Sequence, residues 1–321
     1  MRLLVTGAAG LLGSRVVRQL LDRGHAVRAV IRPTHQALPA DWRSRAEIVR
    51  ADLLTTPELH NLFDGVDVII HLAAAMRGTA DDQLASAKVG TERLLNAMRI
   101  AESTAHIVLA GSCSVYDYTA TSRILNEDSP LETKAVDIDG YTNAKIMQER
   151  VTRHFAEERQ WTLSVLRPAF IYGPGAGPAA VAGLALGRFF LVFAPFSHLR
   201  LTHVENCASA FVNAAEKRIA GTFNIIDDDR VTAWRYAGKL KCRERSYLRI
   251  PIPYYAGLAM AYLARVVYRA LLSFGGRKLP GIFNPCQYRA RFKPLKYVNR
   301  RAKEGLAWKC PPLFDTECDV T

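Results

Sequence analysis

An α/β fold built on a doubly wound parallel sheet, followed by a smaller and mostly helical C-terminal region, is what this 321-residue chain predicts. Three observations carry the expectation. Short apolar runs ending in glycine or small residues alternate with segments of helical period through the first half. The first run meets the first helix at the glycine-rich turn GAAGLLG. A Gly/Pro-rich break at 173–178 sets this half apart from the remainder.

The first element is RLLVTG, a short apolar run closed by glycine and hence a buried strand. LLGSRVVRQLLDRG has helical period and stops at Gly24. AVRAVIR is the second strand, so the opening is a β-α-β unit with parallel strands and a right-handed crossover. VRADLL (49–54) and VDVIIHLAAA (66–75) read as the third and fourth strands, and HIVLAGSCSVY (106–116) as another. WTLSVLRPAFIYGPG gives a further strand before the break. Beyond it, AAVAGLALGRFFLVFAPF is strongly apolar, GTFNII (221–226) reads as a late strand, and VTAW (231–234) opens a helix.

The turn Gly7-Ala8-Ala9-Gly10-Leu11-Leu12-Gly13 spaces its glycines as GxxGxxG. Gly7 permits a tight turn, Gly10 lets backbone approach a pyrophosphate, and Gly13 lets the helix pack close to the sheet. Backbone N–H groups from Ala9 to Gly13 at the helix start would hold phosphates. Following a strand and opening a helix is the context that makes this a dinucleotide site rather than a plain turn. No acid closes the second strand to hold a ribose 2′-hydroxyl; Arg32 follows it instead. That favours NADP, with NAD as the other choice, and Arg28 or Arg15 could share the phosphate. Asp52, with Leu53, stands near where an adenine amino group would lie. Leu72, Ala73 and Ala74 place small residues where a cofactor could cross the sheet edge. His71 reads as a core or turn histidine.

The chain is 49% apolar and 23% charged, the composition of a globular protein. Its six cysteines (113, 207, 242, 286, 310, 318) show no CxxC spacing, so neither a metal site nor a disulfide framework is expected. A reducing compartment fits, and MRLLVTGAAG carries too short an apolar run for a signal peptide, so a cytoplasmic location is expected. Net charge is +13, and residues 240–321 hold sixteen Lys/Arg against five Asp/Glu. A basic segment suits either an anionic partner or a merely soluble surface. No aromatic stacking motif accompanies it, so nucleic acid is not expected as a partner.

Ser112 and Ser114 stand where a strand gives way to small hydroxyl residues, the end at which such sheets bind ligands. Tyr141 and Lys145 are one helical turn apart and share a face. TGAAGLLG, Asp52-Leu53, HLAAA, GSCSVY, YTNAK and LRPAFIYGPG (166–175) stand in this order over roughly the first 175 residues. With them the chain resembles an extended short-chain dehydrogenase/reductase of the NAD(P)-dependent epimerase/dehydratase superfamily. THVEN resembles the strand of the 3β-hydroxysteroid dehydrogenase and dihydroflavonol reductase branch.

The resemblance implies a Rossmann domain over residues 1–173, rejoined by about 199–227, and a substrate-binding region over 174–321. It implies a triad of Ser112, Tyr141 and Lys145, Ser112 being preferred to Ser114 because it lies four before the tyrosine of VY. Pro168 and Ile171 join the cofactor site on the same ground. Tyrosine ordinarily titrates near ~10, and a neighbouring ammonium with the positive nicotinamide would lower that value so that Tyr141 exchanges a proton. Lys145 would also hold the nicotinamide ribose, and Ser112 the substrate oxygen. Two departures stand out. Ala87 replaces the asparagine of the usual N-V-x-G-T, and VYD replaces VYG. Cys113 and Ser114 stand where dehydratases carry an acidic pair, so dehydration is not expected.

Substrate choice would lie in the second half. Phe189, Phe190, Phe193 and Phe196 suit an apolar ketone or alcohol, with a nucleotide-linked sugar undergoing epimerisation as the alternative. A non-catalytic dinucleotide sensor is the alternative of another class. Residues 250–274 suit either a membrane-surface helix or a helix packed on the core or a dimer partner; the run is short for a membrane span. A homodimer through the helices flanking the tyrosine is the other partner the resemblance implies.

Overall fold

The computed structural model describes residues 1–35, 38–39, 41–74, 78–133, 139–176, 181–242, 245–271 and 281–317. Expectations that touch Ala75, 177–180, 272–274 or Cys318 lie outside the described residues, as do the side chains of Cys242 and Arg269.

The chain begins with β1 (Arg2–Thr6), α1 (Leu11–Asp22) and β2 (Ala26–Ile31). A short helix α2 (Trp42–Arg45) leads to β3 (Glu47–Arg50). Next come β4 (Val68–His71), α3 (Ala80–Ile100), β5 (His106–Ala110) and the short β6 (Ile124–Leu125). Helix α4 (Gly140–Arg159) precedes β7 (Leu163–Pro168) and β8 (Phe170–Tyr172).

The second half runs β9 (Gly183–Leu186), β10 (Phe189–Phe193), β11 (Leu201–His203), α5 (Val204–Lys217), β12 (Gly221–Ile225) and α6 (Ala233–Lys239). Then follow β13 (Lys241–Cys242), β14 (Arg245–Ser246), β15 (Leu248–Ile252) and α7 (Tyr254–Leu271). The last elements are α8 (Pro285–Phe292), β16 (Lys296–Tyr297), α9 (Arg300–Leu306) and α10 (Phe314–Glu317).

Seven strands form one sheet in the order β12-β7-β5-β4-β1-β2-β3. Every pairing in it is parallel. A parallel sheet is covered on both faces, which is why its strands read as unbroken apolar runs. Strand β1 shows the division of labour. Leu3 and Val5 pack with Val16, Val17 and Leu20 of α1 and with Phe211 of α5. Leu4, pointing the other way, packs with Leu94, Leu95 and Met98 of α3. The order of winding reverses between β1 and β4, with β2 and β3 on one side and β5, β7 and β12 on the other, and the cleft opens at the carboxyl ends there, the switch point of such sheets.

The third strand is Glu47–Arg50, ending four residues before the close of VRADLL. Asp52 ends it: its Oδ1 accepts from the Leu54 amide at 2.8 Å and turns the chain. In the second half β15, β10 and β9 form a separate three-stranded sheet, β10 parallel to β15 and antiparallel to β9. Pairs β8–β11, β13–β14 and β6–β16 complete the strand pairings. No helix among the described residues is long and apolar enough to cross a membrane.

Candidate active site

A cleft of about 1120 Å³ lies over the carboxyl ends of the sheet. One wall is the glycine turn. At Gly7, φ is +70°, and an added Cβ would sit 2.8 Å from the Ala73 amide nitrogen. At Gly13 an added Cβ would meet the Gly7 carbonyl oxygen at 2.2 Å, so the turn and helix can close on each other only without side chains. Helix α1 starts at Gly10 with no side-chain cap and no acid in its first turn. By contrast α3, α4, α6 and α8 begin with side-chain caps from Thr79, Asp139, Thr232 and Asn284. A helix start left uncapped in a cleft fits a phosphate, which the first N–H groups would hold.

All residues expected at the cofactor and catalytic positions line this one cleft. Gly7, Ala9, Gly10, Leu11, Leu12 and Gly13 form the turn. Arg32, Asp52 and Leu53 stand along the β2 and β3 ends, and Leu72, Ala73 and Ala74 follow β4. Pro168 and Ile171 close the side at β7 and β8. Ser112, Tyr141 and Lys145 lie on the same surface. The side chain of Arg32 is exposed and makes no hydrogen bond or ion pair among the described residues.

Arg28 and Arg15 do not share in the site as expected. Arg28 is buried, donating to Glu47 at 2.9 Å and to the Leu62 carbonyl at 2.7 Å. Arg15 pairs with Glu205 at 3.2 Å and donates to the Pro174 carbonyl at 3.1 Å. The four phenylalanines also fall elsewhere. Phe190 and Phe193 are core residues, while Phe189 and Phe196 are exposed at 40% and 83%. None lines the cleft, because Phe189, Phe190 and Phe193 stand on β10 of the separate sheet and Phe196 follows that strand. The apolar lining comes instead from Ala169, Phe170, Ile171 and Leu72.

Helix α4 delivers the tyrosine and lysine. Asp139 caps it, accepting from the Thr142 amide at 2.8 Å. Gly140 brings its first turn against α3, where a Cβ would lie 2.6 Å from Cα of Ala80. Tyr141 is half-buried and lines the cleft with Ser112. Burial raises the phenol's pKa above its ordinary value, and the neighbouring Ser112 hydroxyl opposes it. The Lys145 ammonium donates to the Ala110 carbonyl at 2.7 Å and to Oε1 of Gln148 at 2.9 Å. Burial lowers the Lys145 pKa to about 8, with the Glu149 carboxylate opposing.

Behind the lysine runs a buried polar chain that the sequence did not announce. Gln148 Nε2 faces the Ala73 carbonyl at 3.1 Å, Thr91 Oγ1 at 3.2 Å and His71 Nε2 at 3.0 Å. The amide is oriented by its neighbours, because its oxygen must face the ammonium and its nitrogen a carbonyl. His71 Nε2 therefore accepts, and its Nδ1 carries the proton toward Thr6 Oγ1, 2.7 Å away. Burial and then the Lys145 charge lower the His71 pKa to about 3, so the ring is neutral. His71 is thus a core histidine at the cleft edge. Ala87 brings no amide to this chain; Gln148, three residues after the lysine, supplies one.

Ser114 also lines the cleft, and its buried Oγ has no hydrogen-bond partner among the described residues. Arg200, Gln287 and Arg291 complete a further wall that no motif had marked. Among the described residues there is no group of three or more His, Cys, Asp or Glu placed to hold a metal ion.

Residues 3–225 match the NAD dependent epimerase/dehydratase family. The chain belongs to this family. It is an NAD(P)-dependent oxidoreductase of the extended short-chain dehydrogenase/reductase type. It is 29% identical over 322 residues to a 3-diazoavenalumate denitrifying reductase from Streptomyces sp, covering 96% of each chain. It is 26% identical over 252 residues to a decarboxylating sterol-4-alpha-carboxylate 3-dehydrogenase from Bos taurus, covering 74% of this chain and 68% of that one. A UDP-glucuronic acid 4-epimerase from Bacillus cereus, solved with UDP-glucuronic acid and NAD, has the same fold. Its TM-score is 0.69 at 22% identity, covering 100% of this chain and 98% of the other.

Proposed function

We propose that this protein is an NADP-preferring reductase or dehydrogenase acting on the carbonyl or alcohol of an apolar small molecule. The observation that carries the reading is that Ser112, Tyr141 and Lys145 line the same cleft as the uncapped glycine turn. When bound, the nicotinamide cofactor supplies or accepts the hydride.

The residues divide the remaining work. The backbone from Ala9 to Gly13 holds the phosphates, and Arg32 meets a 2′-phosphate at the end of β2. Asp52 and Leu53 receive the adenine, while Leu72 to Ala74, Pro168 and Ile171 flank the remainder of the cofactor. Ser112 orients the substrate oxygen by a hydrogen bond. Tyr141 gives that oxygen a proton in reduction and takes it back in oxidation. Burial keeps the phenol protonated in the ligand-free protein, which suits the donor role. Lys145 uses two N–H groups on Ala110 and Gln148, leaving the third for a cofactor hydroxyl. The apolar lining at Leu72, Ala169, Phe170 and Ile171 supports an apolar substrate body.

A homodimer through α3 and α4 and a cytoplasmic location belong to the same reading. So does a membrane-surface contact through α7, where Tyr255, Leu263 and Val266 are 80%, 65% and 64% exposed.

The test is oxidation of NADPH, followed by absorbance, with a panel of apolar ketones. Turnover is expected, and Tyr141→Phe should lower it by about 10² to 10⁴-fold while NADPH still binds. Activity on a UDP-sugar without net NADPH use would replace this reading with epimerisation. Tight NADPH binding with no turnover of any substrate would replace it with a sensor.

A further inference from the structure

Helix α8 presents Gln287, Ala290 and Arg291 to the cleft. Its opposite side is anchored, with Tyr288 and Phe292 buried against Phe193. Gln287 and Arg291 are one helical turn apart and so adjacent on this face. Arg291 is half-buried and makes no hydrogen bond or ion pair among the described residues. Beside it stands a second guanidinium. Arg200 is 5% exposed, lies 4.3 Å from the Tyr118 ring centroid and 5.1 Å from that of Phe170, and donates to the Ala290 carbonyl.

Two cations thus share one wall. Burial and the charge of Arg200 lower the Arg291 pKa, and only Asp139 pulls it back. Asp139 is already the cap of α4, and its charge also reaches Tyr141. Arg291 therefore stands within electrostatic reach of the carboxylate next to the reacting phenol. Glu132 also stands against α8, where its Oε2 lies 3.9 Å from Cys286 Sγ.

An under-compensated guanidinium in a part-buried wall is unfavourable until an anion meets it. Its planar fork matches a carboxylate in two parallel hydrogen bonds, and the Gln287 amide can add a third. We propose that Arg291 and Gln287 form an anion subsite that binds a carboxylate carried by the apolar substrate. This rests on the reductase reading for the reaction, but not for the binding itself. The substrate is then a keto or hydroxy acid whose acid group is remote from the reacting carbon. Arg200 acts behind Arg291, holding Ala290 and adding positive potential.

The test compares pairs of apolar ketones that differ only by a carboxylate, with NADPH, in the wild type, Arg291→Gln and Arg291→Lys. The wild type is expected to favour the acid at least tenfold in kcat/KM. Arg291→Gln should abolish that preference through KM, and Arg291→Lys should keep part of it. No preference in the wild type, or equal loss on both ketones, would overturn the proposal. Calorimetry with a non-reducible apolar carboxylate on the NADPH-bound protein gives an independent readout. Arg291→Gln should weaken it about tenfold or more even if no ketone turns over, in which case only the reductase reading fails. A phosphate monoester in place of the carboxylate, or UDP, binding more tightly at Arg291 would overturn the carboxylate assignment.

Discussion

The ammonium of Lys145 lies 2.9 Å from the side-chain oxygen of Gln148, one turn along the same helix. That contact gives a buried lysine one of its two acceptors. Burial alone favours the neutral amine, and each acceptor of an N–H favours the ammonium. With a folded pKa of about 8, below the ordinary 10.5, Lys145 is charged below pH 8 and neutral above it. Activity that needs the ammonium falls as pH rises through that value. Gln148→Leu removes an acceptor, lowers the pKa further and should move the alkaline limb of kcat/KM to lower pH. Gln148→Glu places a carboxylate there and should move the limb up by about one to three units. A merely structural Gln148 would give lower activity in both variants with the limb unmoved.

The outcome also measures how much of the site was readable in the chain. The sheet was legible because parallel strands buried on both faces leave unbroken apolar runs, as in RLLVT and HIVLA. The cleft was legible because Gly7 and Gly13 answer a local demand of the backbone. Gln148 was not, because its role depends on Ala73, Thr91 and His71, which lie 75, 57 and 77 residues away. An amide three residues after the lysine, with alanine at 87, was the one available signal. The phenylalanines misled because strand alternation hides which sheet a strand joins. Arg28 misled because its partner Glu47 is fixed only by the pairing of β2 with β3. Arg291 carries no motif; only the fold brings α8 to the cleft.

Arg32 is the residue on which coenzyme choice should turn. With Arg28 held by Glu47 and Arg15 by Glu205, it is the cation of the three that lines the cleft. His35 lines the cleft beside it. Arg32→Ala removes a charged hydrogen bond to a 2′-phosphate, a loss of roughly 10- to 100-fold. The expected result is a rise in KM for NADPH of that size, with KM for NADH nearly unchanged. Equal KM changes for both coenzymes would place the 2′-phosphate elsewhere.

Glu149 and Arg167 tie the helix of the candidate catalytic pair to strand β7. Arg167 Nε donates to Glu149 at 3.1 Å, Nη2 donates to the same carboxylate, and the two side chains are only 5% and 3% exposed. Arg153 adds a bond from Nη2 at 2.9 Å. The Arg167 guanidinium also lies 4.8 Å from the centroid of Tyr116, whose hydroxyl donates to Asn224 at 2.7 Å. Removing one partner leaves the other charge buried and alone, which costs about 3–5 kcal/mol. Glu149→Gln should therefore lower the melting temperature by roughly 4–8 °C at pH 7. Arg167, with the Glu149 hydrogen bond foremost, holds the carboxylate pKa below its ordinary value against the upward push of burial. A depressed acid contributes stability above its unfolded pKa, and that contribution fades as pH falls through the folded one. The gap between wild type and Glu149→Gln should thus be full at pH 7 and shrink in acid below the ordinary carboxylate range. Replacing both residues by leucine should cost far less than replacing either, since no unpaired charge remains. A double variant as unstable as the sum of the two single ones would show that the pair acts by packing and not by charge.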